Sequence, residues 1–137
     1  MKKERIISLQ KIIDSRGNLS FFESNTHIPF EINRTYWIYD VPRDKFRESY
    51  AFIKSDEFIV ALSGSFDIYL SDGRSEKKYS LNKSNLGLYI PNLTWITVGN
   101  FSANSLALVV SSLKFDKIDY IKDFDEFLNL KNEFTKN

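Results

Sequence analysis

Cysteine is absent from the 137 residues, and histidine occurs only once, at His27. Without cysteine the chain has no disulfide, no thiolate nucleophile and no cysteine-based zinc site. Its five glycines leave little room for a glycine-rich phosphate loop. A formal net charge of +1 gives no field strong enough to attract nucleic acid. We therefore expect no nucleic-acid partner and no chemistry that depends on thiols.

Long hydrophobic runs are also missing. No stretch approaches the roughly 20 apolar residues that cross a bilayer, and the N-terminal Met1-Lys2-Lys3-Glu4-Arg5 lacks the apolar core of a signal peptide. Apolar residues make up 42% of the chain and charged residues 27%, a balance typical of a folded domain. We expect a single domain spanning residues 1–137, located in the cytoplasm and without a membrane partner.

Aromatic residues are the conspicuous surplus, at 15%, with 12 phenylalanines and 7 tyrosines. They occur with β-branched residues in short segments of alternating apolar and polar residues, which turn residues separate. This pattern predicts an all-β sandwich or barrel. The predicted strands are 6–13, 19–23, 34–40, 48–54, 58–62, 65–71, 74–80, 86–90, 94–98 and 105–112.

Two turn sequences and a change of period add detail. Asp72-Gly73 and Gly64 each lie between alternating runs, which predicts two hairpins. After Asp123, which can cap a helix, the apolar residues follow at helical spacing. We predict a C-terminal helix over about 123–135 that covers one barrel face. The apolar positions of this region are Ile121, Phe124, Phe127, Leu128 and Leu130.

The middle of the chain carries the spacing of a known signature. Tyr50-x-Phe52-x4-Glu57-x6-Gly64 resembles the first cupin pattern, His-x-His-x(3,4)-Glu-x6-Gly, with both histidines replaced by aromatic residues. The resemblance implies the cupin fold, a double-stranded β-helix or jelly-roll barrel.

A second stretch is similar to the other cupin pattern. Pro91-x-Leu93-x2-Ile96-x3-Asn100 follows Pro-x-Gly-x2-His-x3-Asn without the glycine and the histidine. Of the four usual metal-ligand positions in the two patterns, only Glu57 is kept. We therefore expect no metal and no cofactor.

Further stretches resemble one cupin family, the dTDP-sugar 3,4-ketoisomerases of bacterial deoxyamino-sugar synthesis. The resemblance implies a homodimer in which N-terminal strands cross between subunits. It also implies that a dTDP-linked sugar or dTDP binds in the barrel mouth, within a pathway that makes surface glycans such as lipopolysaccharide. The stretches are Lys11-Ile12-Ile13-Asp14-Ser15-Arg16-Gly17-Asn18-Leu19, Ile28-Pro29-Phe30-x-Ile32-x-Arg34-x-Tyr36, Leu62-Ser63-Gly64-Ser65, Leu86-Gly87-Leu88-Tyr89-Ile90 and Asp119-Tyr120-Ile121.

The family's reaction moves a ketone from C4 to C3 of a 4-keto-6-deoxyhexose, which needs an acid and a base with pKa values near neutrality. Its Arg-Gly-x-His-x-His-Lys segment is matched here by residues 47–54. Tyr50 and Phe52 then stand in for histidines, and Ile96 stands in for a third. Phenylalanine and isoleucine cannot transfer protons, and tyrosine, with an ordinary pKa of about 10, is a poor base at neutral pH. Tyr50 is the one catalytic candidate among these positions.

Three functions remain open. The first is a catalytically degenerate relative that still binds a dTDP-linked sugar or a partner isomerase. The second is an active isomerase or epimerase that uses Tyr50, Tyr36, Glu57 or an aspartate in place of histidine. The third is a structural subunit for a catalytic paralogue.

Candidate ligand contacts follow from the same frame. Arg34 and Tyr36 share one strand face, and an arginine there can fork onto diphosphate oxygens. Arg47 begins the segment from which the histidines are missing. We expect His27 to face solvent. The other substrate-binding candidates are Arg16, Lys54, Trp95 and Glu57.

Overall fold

The computed structural model describes residues 2–42, 44–47 and 49–135. These residues form short strands, one 3-10 turn and a C-terminal helix. In chain order they are β1 (Arg5–Ser8), β2 (Lys11–Ile12), β3 (Leu19–Ser20), β4 (Arg34–Tyr39), β5 (Ala51–Phe52), β6 (Glu57–Ser63), β7 (Phe66–Ser71), β8 (Glu76–Leu81), β9 (Leu86–Ile90), β10 (Trp95–Gly99), β11 (Leu106–Ser111), the 3-10 turn Lys117–Asp119, β12 (Tyr120–Ile121) and α1 (Phe124–Thr135).

Two antiparallel layers enclose the main core. The larger sheet has the strand order β1-β9-β6-β11-β4, and the smaller has the order β10-β7-β8. A β-bridge between Tyr50 and Ile96 joins β10 to the β5–β12 pair, which extends the second layer. Ile59 and Val109 from the first layer pack with Ile68 from the second. The predicted all-β barrel with a C-terminal helix is therefore confirmed.

Both faces of the larger sheet are covered near its centre. Along β6, Ile59 packs in the main core, whereas Phe58 and Val60 pack in a separate apolar cluster. Ile28 and Phe30, from the chain between β3 and β4, complete this outer cluster. This double cover buries every residue from 57 to 61, and it suits the continuous apolar run of residues 58–62 that precedes the polar Ser63.

Of the two predicted hairpins, one is confirmed and the other is wrong. The Asp72-Gly73 hairpin is confirmed, because β7 pairs with β8 and Asp72 accepts hydrogen bonds from two turn amides. The hairpin predicted at Gly64 is wrong, since β6 pairs with β9 and β11 while β7 belongs to the other sheet. Gly64, with φ +68°, carries the chain between layers, and a Cβ there would clash with Ser102 and Ser105.

Three predicted strands are interrupted or much shorter in the structure. The predicted strand 19–23 is reduced to the two residues of β3. The predicted strand 6–13 is interrupted between β1 and β2, where the Leu9 amide donates to the Asn85 carbonyl at 2.7 Å. Of the predicted strand 48–54, only β5 is regular strand. The first residue of the predicted strand, Glu48, lies outside the described residues.

The C-terminal helix begins one residue after the predicted start. Asp123 accepts the Glu126 amide at 3.2 Å, which caps the first turn. Phe127 is fully buried against Ala51 and Ile121, so the helix covers the outer side of the β5–β12 pair. Within the described ranges, no helix is both long and apolar enough to cross a membrane.

Candidate functional site

A buried carboxyl group lies beside three neighbouring strands of the larger sheet. Glu57 is the first residue of β6, and the register places Ser111 of β11 directly between Glu57 and Arg34 of β4. Tyr36 follows two residues after Arg34 and so shares its face of β4. The spacing Arg34-x-Tyr36 therefore brings both side chains to the wall that carries Glu57.

Hydrogen bonds join this carboxyl group to two phenols. Glu57 is only 2% exposed, and its Oε2 accepts from the Tyr36 hydroxyl at 2.6 Å and from the Ser111 hydroxyl at 2.7 Å. The Tyr50 hydroxyl lies 3.4 Å from Oε1 and 3.5 Å from the Tyr36 hydroxyl. Tyr36, Tyr50 and Glu57 thus form one connected network. In the part of the chain that the structure describes, no group of three or more His, Cys, Asp or Glu side chains could hold a metal ion.

Within this network, the carboxyl has a much lower pKa than the two phenols. Burial raises the pKa of Glu57 to about 7, although hydrogen bonds from Tyr36 and Ser111 and the charge of Arg34 oppose the shift. Burial also raises the pKa of Tyr36 and that of Tyr50 well above the ordinary phenol range. Near neutral pH the carboxyl can therefore gain or lose a proton, while both phenols stay protonated.

Arg34 is enclosed by aromatic rings. Its guanidinium carbon lies 4.9 Å from the centre of the Tyr36 ring and 5.5 to 5.8 Å from those of Phe52, Phe115 and Tyr120. Nη2 donates to the Tyr120 hydroxyl at 3.0 Å and lies 3.7 Å from the Glu57 carboxylate. These contacts hold the Arg34 guanidinium within the protein wall. Its positive charge therefore interacts mainly with the Glu57 carboxyl and with the surrounding aromatic rings.

A cavity of about 170 Å³ lies next to the two phenol side chains, and Glu57 is not among its lining residues. Tyr36 and Tyr50 form part of its wall, and two exposed cations, Arg47 and Lys122, stand at its edge. Arg47 precedes β5, and Lys122 directly follows β12. The remaining lining residues are Ile38, Ser49, Val98 and Tyr120. The cavity therefore has tyrosine side chains in its wall and two positively charged residues beside it.

Of the three residues expected to replace histidines, Tyr50 lines this cavity, whereas Phe52 and Ile96 are not among its lining residues. Tyr50 and Ile96 are paired through the β-bridge, and Ile96 and Phe52 are each 2% exposed. The Tyr50 and Phe52 rings meet edge to face at 5.1 Å, and Tyr120 lies 4.6 Å from Phe52. Both aromatic side chains are thus packed inside the barrel, and Tyr50 adds a hydroxyl to the Glu57 network.

The other predicted contacts lie elsewhere. Trp95 packs against Phe127 of α1 at 5.6 Å, on the opposite face of β10 from Ile96. Arg16 is exposed in the β2–β3 turn and pairs with Asp14 at 2.8 Å. The exposed Lys54 is fixed through its amide, which donates to Asp119 at 2.7 Å, and the imidazole Nδ1 of His27 accepts from the Glu23 amide at 2.9 Å. The structure does not bring Trp95, Arg16 or Lys54 to the cavity, and Arg34 and Glu57 are not among its lining residues either. His27, which was expected to face solvent, is half-buried, with its ring edge to face with Phe21 at 5.1 Å.

Several residues of the site were missed in the sequence. Ser111, Tyr120 and Lys122 each touch the network or the cavity, yet they follow long intervals of chain after Glu57. The Asp119-Tyr120-Ile121 stretch, which carries part of the family resemblance, was the available signal for Tyr120. Lys122 had no such signal, because β12 is too short to show a strand period.

Comparison with known proteins identifies the family. The family model described as "FdtA: WxcM-like, C-terminal" matches residues 2–132. This chain belongs to the FdtA family. The match covers nearly the whole sequence, so the predicted membership of the dTDP-sugar 3,4-ketoisomerase group is confirmed.

Relatives of this FdtA-family chain include characterised isomerases. It is 34% identical to the TDP-4-oxo-6-deoxy-alpha-D-glucose-3,4-oxoisomerase of Aneurinibacillus thermoaerophilus, over 96% of this chain and 99% of that protein. It is 38% identical to the WlaRB TDP-quinovose 3,4-ketoisomerase of Campylobacter jejuni, with a TM-score of 0.90 over 94% of this chain and 99% of that one. A double mutant of the QdtA 3,4-ketoisomerase from Thermoanaerobacterium thermosaccharolyticum, in complex with TDP, gives a TM-score of 0.95 at 31% identity over 100% and 99% of the two chains.

Proposed function

We propose that this FdtA-family protein binds a dTDP-linked keto-deoxyhexose at the cavity but lacks the histidine-based proton transfer expected of the family. One observation carries the proposal. The positions that the resemblance assigns to imidazoles hold Tyr50, Phe52 and Ile96, and the latter two are buried apolar side chains. The chain's single histidine, His27, belongs instead to the loop before β4.

Binding is supported by the chemistry of the cavity edge. A diphosphate carries negative charge that Arg47 and Lys122 can meet, and Tyr36 and Tyr50 line the space beside these cations where the sugar would lie. A related QdtA structure contains TDP. The cavity of about 170 Å³ is smaller than the roughly 300–1,000 Å³ that enclose a drug-sized ligand. We therefore infer that one part of the nucleotide sugar is enclosed, while the remainder lies over the open mouth.

The loss of turnover follows from what proton transfer requires. The isomerisation removes a proton from C3 beside the 4-keto group, forms an enediol and returns a proton to C4, while the hydroxyl proton passes from O3 to O4. A base near neutral pKa is needed for the first step. Phe52 and Ile96 have no ionisable group, and burial keeps the Tyr50 phenol protonated. Loss of one acid or base alone typically costs about 10²–10⁴-fold in rate.

A second function is favoured by one specific observation, the raised pKa of Glu57. A carboxyl group with a pKa of about 7 is well matched to general-base catalysis at neutral pH. In this alternative, Tyr50 accepts the C3 proton as its own proton moves to Glu57, and the reverse transfers deliver a proton to C4. The Tyr50 hydroxyl lies 3.4 Å from Glu57 Oε1, so this transfer requires the two groups to approach to about 2.6–3.2 Å.

One experiment separates these functions. Purified protein is titrated with dTDP by calorimetry, and then incubated with dTDP-4-keto-6-deoxyglucose in heavy water while deuterium at C3 and C4 is followed by NMR. We expect binding without deuterium incorporation at enzymatic rates. Incorporation that Glu57→Gln abolishes would establish the second function instead. Absence of dTDP binding would refute both, and Arg16→Ala, outside the cavity, is the matched binding control.

Restoration provides a complementary test. The combined changes Tyr50→His, Phe52→His and Ile96→His return imidazoles to the three positions expected from the family. If the cavity has kept its geometry, the variant should gain measurable isomerase activity. A variant that folds and binds dTDP but gains no activity would show that more than the imidazoles has changed.

We also propose that the protein is a homodimer, as the family resemblance implies. Support comes from the outer face of the larger sheet, where Trp37 is 58% exposed, Tyr39 is 60% exposed and Leu62 is 43% exposed. Neighbouring apolar side chains of this size are costly to leave in water. A second copy of the chain would cover them.

A further inference from the structure

Arg47 lies on a segment, residues 46–47 and 49–50 of the described chain, that runs alongside β10. The Arg47 amide donates to the Val98 carbonyl at 2.8 Å, and Tyr50 and Ile96 exchange two backbone hydrogen bonds at 3.1 and 2.7 Å. The Ser49 and Thr97 hydroxyls lie 2.6 Å apart. These contacts fix the part of the segment nearest β5. Phe46 is the residue at its other end.

Phe46 is seated on a glycine of the neighbouring strand. A Cβ at Gly99, the last residue of β10, would overlap three atoms of the Phe46 ring. Gly99 has no side chain, so the ring can lie directly on its backbone. The Tyr69 ring is a second neighbour, at 6.1 Å between ring centres. Although 57% exposed, the Phe46 side chain is therefore held at a defined place.

We propose that the contact between Phe46 and Gly99 positions Arg47 for the diphosphate of the bound nucleotide. This inference rests on the proposed binding function. Phe46 itself is not among the residues that line the cavity, so it acts through its neighbour in sequence. Without the ring on Gly99, the exposed Arg47 side chain and its backbone sample more conformations, and binding must then order them.

Calorimetric titration with dTDP tests the inference. Phe46→Ala should raise Kd by about three- to tenfold, because the cost of ordering one long side chain then falls on binding. In an Arg47→Ala background the same change should have no further effect. Phe134→Ala removes a comparably exposed phenylalanine from α1 and should leave Kd unchanged. Unaltered affinity in Phe46→Ala, or an equal loss in the Arg47→Ala background, would overturn the inference.

A second pair of variants tests the role of the glycine. Gly99→Ala should displace the Phe46 ring and weaken dTDP binding to a similar extent. The double variant Phe46→Ala with Gly99→Ala should bind no more weakly than Phe46→Ala alone, since the clash disappears with the ring. Additive losses in the double variant would contradict the proposed contact.

Amide hydrogen exchange gives a readout that needs no ligand. The Arg47 amide is bonded to Val98, and Phe46→Ala should accelerate its exchange by about tenfold or more if the ring holds this segment. Unchanged exchange would overturn the inference even if dTDP binds. If the wild-type protein does not bind dTDP, the proposed function fails, and the exchange rate alone decides whether Phe46 holds Arg47 in place.

Discussion

Replacing Glu57 with glutamine isolates the contribution of one buried ionisable group to stability. The folded protein holds its carboxyl with a pKa of about 7, against an ordinary value of 4.5. Glutamine has nearly the same shape, and the Tyr36 and Ser111 hydroxyls can rotate to accept from its amide. Arg34 and Tyr50 are the other charged or titratable neighbours, and both are unchanged in the variant.

The sign and size follow from proton binding. Between about pH 4.5 and 7 the unfolded chain loses the Glu57 proton while the folded protein keeps it. The folded state then binds more protons, so its stability falls as pH rises, and the effect is absent below about pH 4.5. A difference of about 2.5 pKa units, at about 1.4 kcal/mol each, gives a loss of about 3 kcal/mol by pH 8.

Urea denaturation of both proteins across this pH range measures the effect. The free energy of unfolding of the wild type, relative to Glu57→Gln, should fall by about 3 kcal/mol from acid to mildly alkaline pH. The exposed Glu76, first residue of β8, provides the control, because Glu76→Gln should give a nearly constant difference. A Glu57→Gln difference that stays constant within about 0.5 kcal/mol would refute the reasoning.

Three further perturbations test other parts of the structure. Lys122→Ala should weaken dTDP binding about tenfold or more in calorimetry, since a hydrogen bond to a charged group contributes about 1.5–3 kcal/mol, and an unchanged Kd would remove this lysine from the site. Phe127→Ala should lower the free energy of unfolding by about 3–5 kcal/mol in urea, because the ring is fully buried under α1; a loss below about 1 kcal/mol would contradict that packing. Trp37→Glu should halve the mass seen by analytical ultracentrifugation with an unchanged circular dichroism spectrum, whereas a wild type that sediments as a monomer would refute the dimer.

The architecture could be predicted because its signals are local. Alternation gave most strands, the Asp72-Gly73 turn gave its hairpin, and Asp123 marked the start of α1. The error at Gly64 has a clear physical origin. Turn residues specify a change of direction, but they do not specify whether the next strand pairs with the preceding one or crosses to another sheet.

The candidate site was predicted less completely, because its contacts span the chain. Arg34 meets Tyr120 across 86 positions, and no periodic pattern joins a strand residue to a distant loop. Trp95 is different, since its placement was available from the sequence. If Ile96 faces the barrel interior, its neighbour on the same strand must face outwards, which is where α1 covers it.

The positions of Arg34 and Glu57 would set the pKa of any histidine introduced into the barrel. Its guanidinium lies 5.8 Å from the Phe52 ring, so Phe52→His would place an imidazole beside a fixed cation, which lowers the imidazole pKa and favours a neutral proton acceptor. Tyr50→His would instead stand next to Glu57, whose negative form favours a protonated imidazole. Arg34 would thus favour a neutral, proton-accepting histidine at position 52, and Glu57 would favour a protonated, proton-donating histidine at position 50.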